Sequence, residues 1–167
     1  MDTRLITTEE LKTDGFINAN FENEYLLPAI DEAQDVWLRE TLGDALLEKL
    51  EELVEAEQIE GTVYEKLLEG YVKIYLKYKV LSLLCVPVTF KMRNAGIVSQ
   101  YSGEISTTNL EDTKYLEGYY EQKADFFRNR LTTYLEKNKK DIPEYKWCCR
   151  QVTNPDPVHP VCSIYLG

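Results

Sequence analysis

Near the C-terminus, Cys148, Cys149 and Cys162 lie beside the only histidine, His159, and these are the residue types that hold zinc. A zinc site needs thiolates that converge on one point. The adjacent pair Cys148–Cys149 lacks the two-residue spacing that lets two thiolates do so easily. A disulfide from either of them to Cys162 would have to survive a reducing cytosol. The default reading is plain tail cysteines and no metal. Cys85, inside the apolar run from Leu81 to Val88, reads as a small core residue.

Carboxylates offer the next chemistry. Glu48/Glu52 and Glu51/Glu55 stand one helical turn apart and resemble acid–base pairs. On an exposed helix such pairs are solvated and mildly repulsive. A single histidine is too few for the paired Glu-x-x-His motifs of di-iron bundles. The sequence has no Gly-rich phosphate loop, no Gly-x-Ser-x-Gly and no HExxH. The twelve tyrosines fall in stripes, a pattern of core and interface packing more than of a cofactor box. The expectation is a protein without catalysis, cofactor or metal.

Helices supply the framework for these residues. Thr7-Thr8-Glu9-Glu10 has the spacing of a capping box, with Asp14-Gly15 as the stop. Asn20 is placed to cap a helix starting at Phe21 or Glu22, with Pro28 in its first turn and Leu26, Ile30, Ala33 and Trp37 on one face. Gly43 can take the left-handed conformation that ends a helix, and Asp44 can cap the next. Leu46, Leu50 and Leu53, widened by Leu47 and Val54, continue the stripe to about Glu57, which makes an antiparallel helical hairpin.

Thr62 with Glu65 marks a second capping box, followed by a long helix to Val86. Val63, Leu67, Tyr71, Ile74, Tyr78 and Leu81 form one stripe, and Leu68, Val72, Tyr75 and Leu84 nearly complete the circle. A helix apolar on most sides belongs in the middle of a bundle. Pro87 ends or kinks it. Residues 88–109 are β-branched and Gly-bearing, which suits two short strands or a protruding loop with turns at Asn94-Ala95-Gly96 and Ser102-Gly103.

Asn109 with Asp112 opens the last helix, which runs to about Asn138 with Leu116, Tyr120, Ala124, Phe127, Leu131 and Leu135 on one face. Gly118 suggests that another backbone comes close. From Ile142 the chain carries four prolines and ends in the apolar run Val161–Leu166, which either folds back or adds a strand to a partner. The expected fold is all-α: a bundle of four to five helices over residues 1–141, with 88–109 inserted as a β-hairpin-like loop, and an extended tail over 142–167.

The net charge of −10 is divided unevenly. Residues 1–60 hold seventeen acids against four bases, and residues 61–167 hold twelve against fifteen. The acidic third is either a solvated helix face or a surface that repels nucleic acid or meets a basic partner. DNA binding through it is disfavoured, since phosphate contacts need cations. Lys73, Lys77, Lys79, Lys91 and Arg93 form a basic island with no acid between Gly70 and Gly103, either the complement of the acidic hairpin of a neighbouring subunit or a surface that docks a partner. No signal peptide opens the chain and no apolar run reaches membrane-span length, so a soluble cytoplasmic product without membrane contact is expected.

Tyr25, Leu26, Pro28, Ala29, Ile30, Ala33 and Gln34, followed by Leu42, Gly43, Leu47 and Leu50, resemble a pattern of phage head-to-tail connector proteins, nearest to the portal-adjacent ring proteins of crAss-like phages. The opening LITTEEL, the NAG at Asn94–Gly96, the PEY at Pro143–Tyr145 and the closing IYLG are similar too, in the same order. The resemblance implies a helical virion protein of the neck, assembled in the host bacterial cytoplasm. It implies a homo-oligomeric ring of about twelve subunits that contacts the portal and the next neck or tail ring and lets DNA pass unbound. Candidate contact residues are Lys91, Arg93, Asn94, Gly96, Gln100 and Tyr101 in the loop, and Val161, Ile164, Tyr165 and Leu166 in the tail. The alternative is a non-viral or prophage-derived helical binding or regulatory module without catalysis.

Overall fold

The computed structural model describes residues 3–13, 17–93, 96–99 and 110–145, with the backbone alone for the short strands at 90–93 and 96–99. The chain enters through a complete capping box. The Thr7 backbone N–H donates to Glu10 Oε2 at 2.8 Å, and the Glu10 N–H returns to Thr7 Oγ1 at 3.2 Å, opening α1 (Thr8–Thr13). Asp14-Gly15, the expected stop, lies outside the described residues.

Helix α2 occupies residues 23–42 and is α-helical over Asn23–Glu32, π-helical over Ala33–Leu38 and α-helical again over Arg39–Leu42. It starts later than Asn20 would cap; the Asn20 N–H instead meets the Asn18 side chain in a turn. Pro28 therefore sits inside the helix and not in its first turn. The π turn inserts one residue, so the fully buried stripe of Leu26, Ile30 and Ala33 passes to Leu38 and Leu42, with Trp37 partly buried beside it and packed against the same core.

Gly43, at φ 81° and ψ 160°, makes the elbow to α3 (Asp44–Glu55), and a residue with a Cβ is strained there. Gly43 is itself the cap position, its carbonyl taking the Leu47 N–H at 3.2 Å. Asp44 is thus one residue inside the helix, where its charge suits the positive helix end. At the other end of α3 the Gln58 N–H reaches the Leu53 carbonyl and the Glu57 N–H reaches that of Val54. This is a Schellman stop with Glu57, at φ 54°, where glycine is customary.

Helix α4 covers residues 63–89 with a second π turn at Leu68–Val72. The start differs from a full capping box: Thr62 Oγ1 donates to the Ile59 carbonyl, while Glu65 accepts from the Gly61 N–H. Pro87 does not end the helix, which runs on to Thr89, whose hydroxyl donates to the Cys85 carbonyl at 2.8 Å. Leu67, Leu68, Val72, Tyr75, Leu76 and Val80 are buried, whereas Val63 is exposed. With α2 and α5 (Leu110–Lys137) both packed on it, α4 is the centre of the bundle.

Between α4 and α5, β1 (Phe90–Arg93) and β2 (Gly96–Ser99) pair antiparallel, Phe90 opposite Ser99 and Arg93 opposite Gly96. Helix α5 runs antiparallel to α4 along stacked rings: Tyr78–Phe127 at 5.0 Å and Tyr71–Tyr134 at 4.2 Å between centroids. Ala124, Leu131 and Leu135 are buried as expected, but Leu116 is exposed. At 100° per residue Leu116 lies roughly 80° round the helix from Ala124, at the edge of the buried arc. A Cβ on Gly118 would meet no described atom within 4 Å, so no close backbone approach explains it. After α5, Ile142 and Tyr145 are buried in the same core. Residues 142–145 thus belong to the bundle and not to the tail.

The five described helices make an all-α bundle. Among the described residues no helix is long and apolar enough to cross a membrane.

Candidate functional site

The buried polar groups come first, because each costs free energy unless paired. Gln34, in the π turn of α2, is almost fully buried. Its Oε1 accepts the Leu5 N–H at 2.9 Å, and its Nε2 donates to the Thr3 carbonyl and to Glu51 Oε1. One side chain thus fastens the N-terminal segment, α2 and α3 together. Arg4 adds a bidentate pair to Asp31 at 2.6 and 2.8 Å.

Lys73 on α4 reaches Glu10 of α1 at 2.5 Å and Glu69 at 2.6 Å. Partial burial disfavours both charged forms, but the hydrogen bonds outweigh it. Glu10 is held below the usual carboxylate range and Lys73 above the usual ammonium range. Lys79, only 3% exposed, donates to both oxygens of Glu121 on α5 at 2.6 and 2.8 Å. Its ammonium also stands 3.5 Å from the centroid of the Trp37 ring. The Ser82 hydroxyl is within hydrogen-bond distance of Glu121 Oε2 and of the Lys79 carbonyl. Trp37 Nε1 is buried without a hydrogen-bond partner among the described residues.

These pairs correct the basic island. The acids that neutralise Lys73 and Lys79 come from α1, from one turn back on α4 and from α5, all outside the Gly70–Gly103 interval. Lys77 lies 5.9 Å over the Tyr78 ring. The backbones of Lys91, Arg93 and Gly96 lie in the two strands. Asn94, Gln100, Tyr101, Val161, Ile164, Tyr165 and Leu166 lie outside the described residues, as do Cys148, Cys149, His159 and Cys162. Cys85 is buried, and that burial pushes its thiol up to about 11, which leaves it unreactive. An open depression of about 610 Å³ lies beside Lys12 and Phe21, and within its lining the Lys12 amine is 2.7 Å from Asn23 Oδ1.

The outer faces are more informative. On α3, Asp44, Glu48, Glu52 and Glu55 lie on the side opposite the buried Leu46, Leu47 and Leu50. On α5, Tyr115, Tyr119 and Phe126 are 78%, 46% and 57% exposed. Their spacing of four and seven puts them on one helical face. The sequence carried that second stripe, but it was hidden behind the Leu116–Leu135 pattern.

The arrangement defines a helical bundle whose interior charges are tied across elements and whose exterior is divided by charge. The chain belongs to the DUF6712 family, a family of unknown function, which matches residues 38–155. No curated protein and no solved structure matches it.

Proposed function

We propose that this protein is a non-catalytic virion component, a head-to-tail connector subunit that forms a ring below the portal. In this reading the segment 88–109 protrudes and the tail extends, both as contact surfaces for the portal and the next ring, and DNA passes without specific binding. The observation that carries the reading is the ordered series of connector-like residues from Tyr25 to Leu50, with the further motifs following in sequence. The described core is in keeping with it, because Lys73, Lys79 and Glu10 are spent on joining helices. An acidic N-terminal third also suits a conduit, since cationic contacts to phosphate would retard DNA.

A regulatory module that takes a small ligand draws on one observation, the Trp37 indole N–H within the π turn of α2, which has no hydrogen-bond partner among the described residues. Two experiments separate the readings. Genes for portal and capsid proteins beside this one, and the protein itself in purified virions as a ring, are expected of a connector. A gene in an unrelated neighbourhood and a protein absent from any particle would overturn it.

A further inference from the structure

Two faces of this molecule are complementary and lie on different helices. The basic half of α5 and the turn after it, residues 123–140, hold six bases against two acids. Lys123, Lys137 and Lys140 are exposed there, on the same face as Phe126 and, just before the segment, Tyr119, while Tyr115 stands a turn earlier, near Glu111 and Asp112. Residues 44–60, covering α3 and the turn after it, hold seven acids against one base, Lys49. The packing partner of α5 is α4, and that of α3 is the end of α2, so the two faces are carried by different parts of the bundle.

We infer that the aromatic and basic face of α5 docks the acidic face of α3 from a second copy of this chain. Charge complementarity selects this occupant. Tyr119 and Phe126 supply desolvated contact area, and Lys123, Lys137 and Lys140 along the same face meet Glu48, Glu52 and Glu55 of the neighbour. Because two different patches meet, the contact is head-to-tail, the kind that closes into a ring or propagates as a filament. The inference rests on the ring-subunit reading and names the surface through which that ring is built. It replaces the basic island, two of whose lysines are consumed internally.

The test uses the full chain and two charge-reversal variants, Glu48→Lys/Glu52→Lys/Glu55→Lys and Lys123→Glu/Lys137→Glu/Lys140→Glu, measured by sedimentation velocity at low and high salt. The wild-type protein should self-associate, and each variant alone should associate at least about tenfold more weakly, because like charges then face each other. An equimolar mixture of the two should regain association, since each reversed face meets its complement in the other variant. That rescue also shows that both variants are folded. Wild-type assembly that persists unchanged in both variants would overturn this interface while leaving the ring reading intact. A wild-type chain that stays monomeric at every concentration would overturn both. Tight binding of a single-stranded oligonucleotide or of anionic vesicles to the α5 face, lost in Tyr119→Ala/Phe126→Ala with self-association unchanged, would assign the face to a different occupant.

Discussion

The Lys79 ammonium lies 3.5 Å from the centroid of the Trp37 ring, inside the bundle, with Glu121 closing the charge from α5. Three helices therefore meet at one cation. Removing the carboxylate should cost more than removing the whole pair, because it strands a buried charge. Glu121→Gln is expected to destabilise by about 1–3 kcal/mol, while Lys79→Met/Glu121→Gln recovers most of the loss. Urea unfolding of the two variants checks the order. The near-ultraviolet signal of Trp37 should change whenever Lys79 is replaced.

Three backbone positions should respond in opposite directions. A Cβ at Gly43 or at Gly118 meets no described atom within 4 Å, so only the backbone conformation distinguishes the two. Gly118→Ala should stabilise by about 0.5–1 kcal/mol, the helix propensity difference. Gly43→Ala should destabilise by about 1–3 kcal/mol, because φ 81° with ψ 160° is open almost only to glycine. Glu57→Gly should stabilise modestly by relieving the left-handed stop. Thermal melts of the three single variants, compared at one pH, suffice.

The Glu10–Lys73 pair predicts an acid limb in the stability profile. Glu10 is depressed from its ordinary 4.5, so its contribution is complete above that value and disappears as pH falls through the lower folded-state value. Lys73 is raised, so its contribution is complete below 10.5 and is lost only as pH rises past its folded-state value. Glu10→Gln keeps an oxygen for the Thr7 N–H, and so preserves the cap while removing the charge. The stability difference between wild type and Glu10→Gln should be largest near neutrality and shrink on acidification. A constant difference down to roughly pH 3 would refute the assignment.

Residues 142–145 act as a clasp. Tyr64 Oη donates to Glu144 Oε2 at 2.6 Å, and burial together with that carboxylate raises the phenol to about 12. Ile142 is fully buried. Ile142→Ala should cost about 2–4 kcal/mol. Truncation after Tyr145 should leave helical content and melting temperature nearly unchanged, whereas truncation after Asp141 should lower both. Equal stability of the two truncated chains would mean that the clasp contributes nothing.

The helices and most of the core were legible from residue spacing, and the reasons for the misreadings are physical. Apolar spacing places Trp37 on the buried face of α2, and a single extra residue in the π turn makes Leu38 the fully buried residue and leaves Trp37 partly buried beside it. Nothing in local composition marks such an insertion, because π bonding is decided by what the turn packs against. Lys73 and Lys79 read as an island because their partners lie outside the Gly70–Gly103 interval, Glu69 just before it and Glu10 and Glu121 far from it in sequence. The stripe of Tyr115, Tyr119 and Phe126 is written plainly in the sequence. Its exposure depends on α4 occupying the other face of α5, which is a tertiary fact. Among the candidate contact residues, the structure places only the backbones of Lys91, Arg93 and Gly96.

The antiparallel run of α4 against α5 also sets a distance. The paired strands follow α4 at the Leu110 end of α5, and Tyr145 lies at the opposite pole. A helix of 28 residues rising 1.5 Å per residue separates the two by about 40 Å. The length of that helix thus fixes how far the strands stand from the Tyr64–Glu144 contact at the other pole.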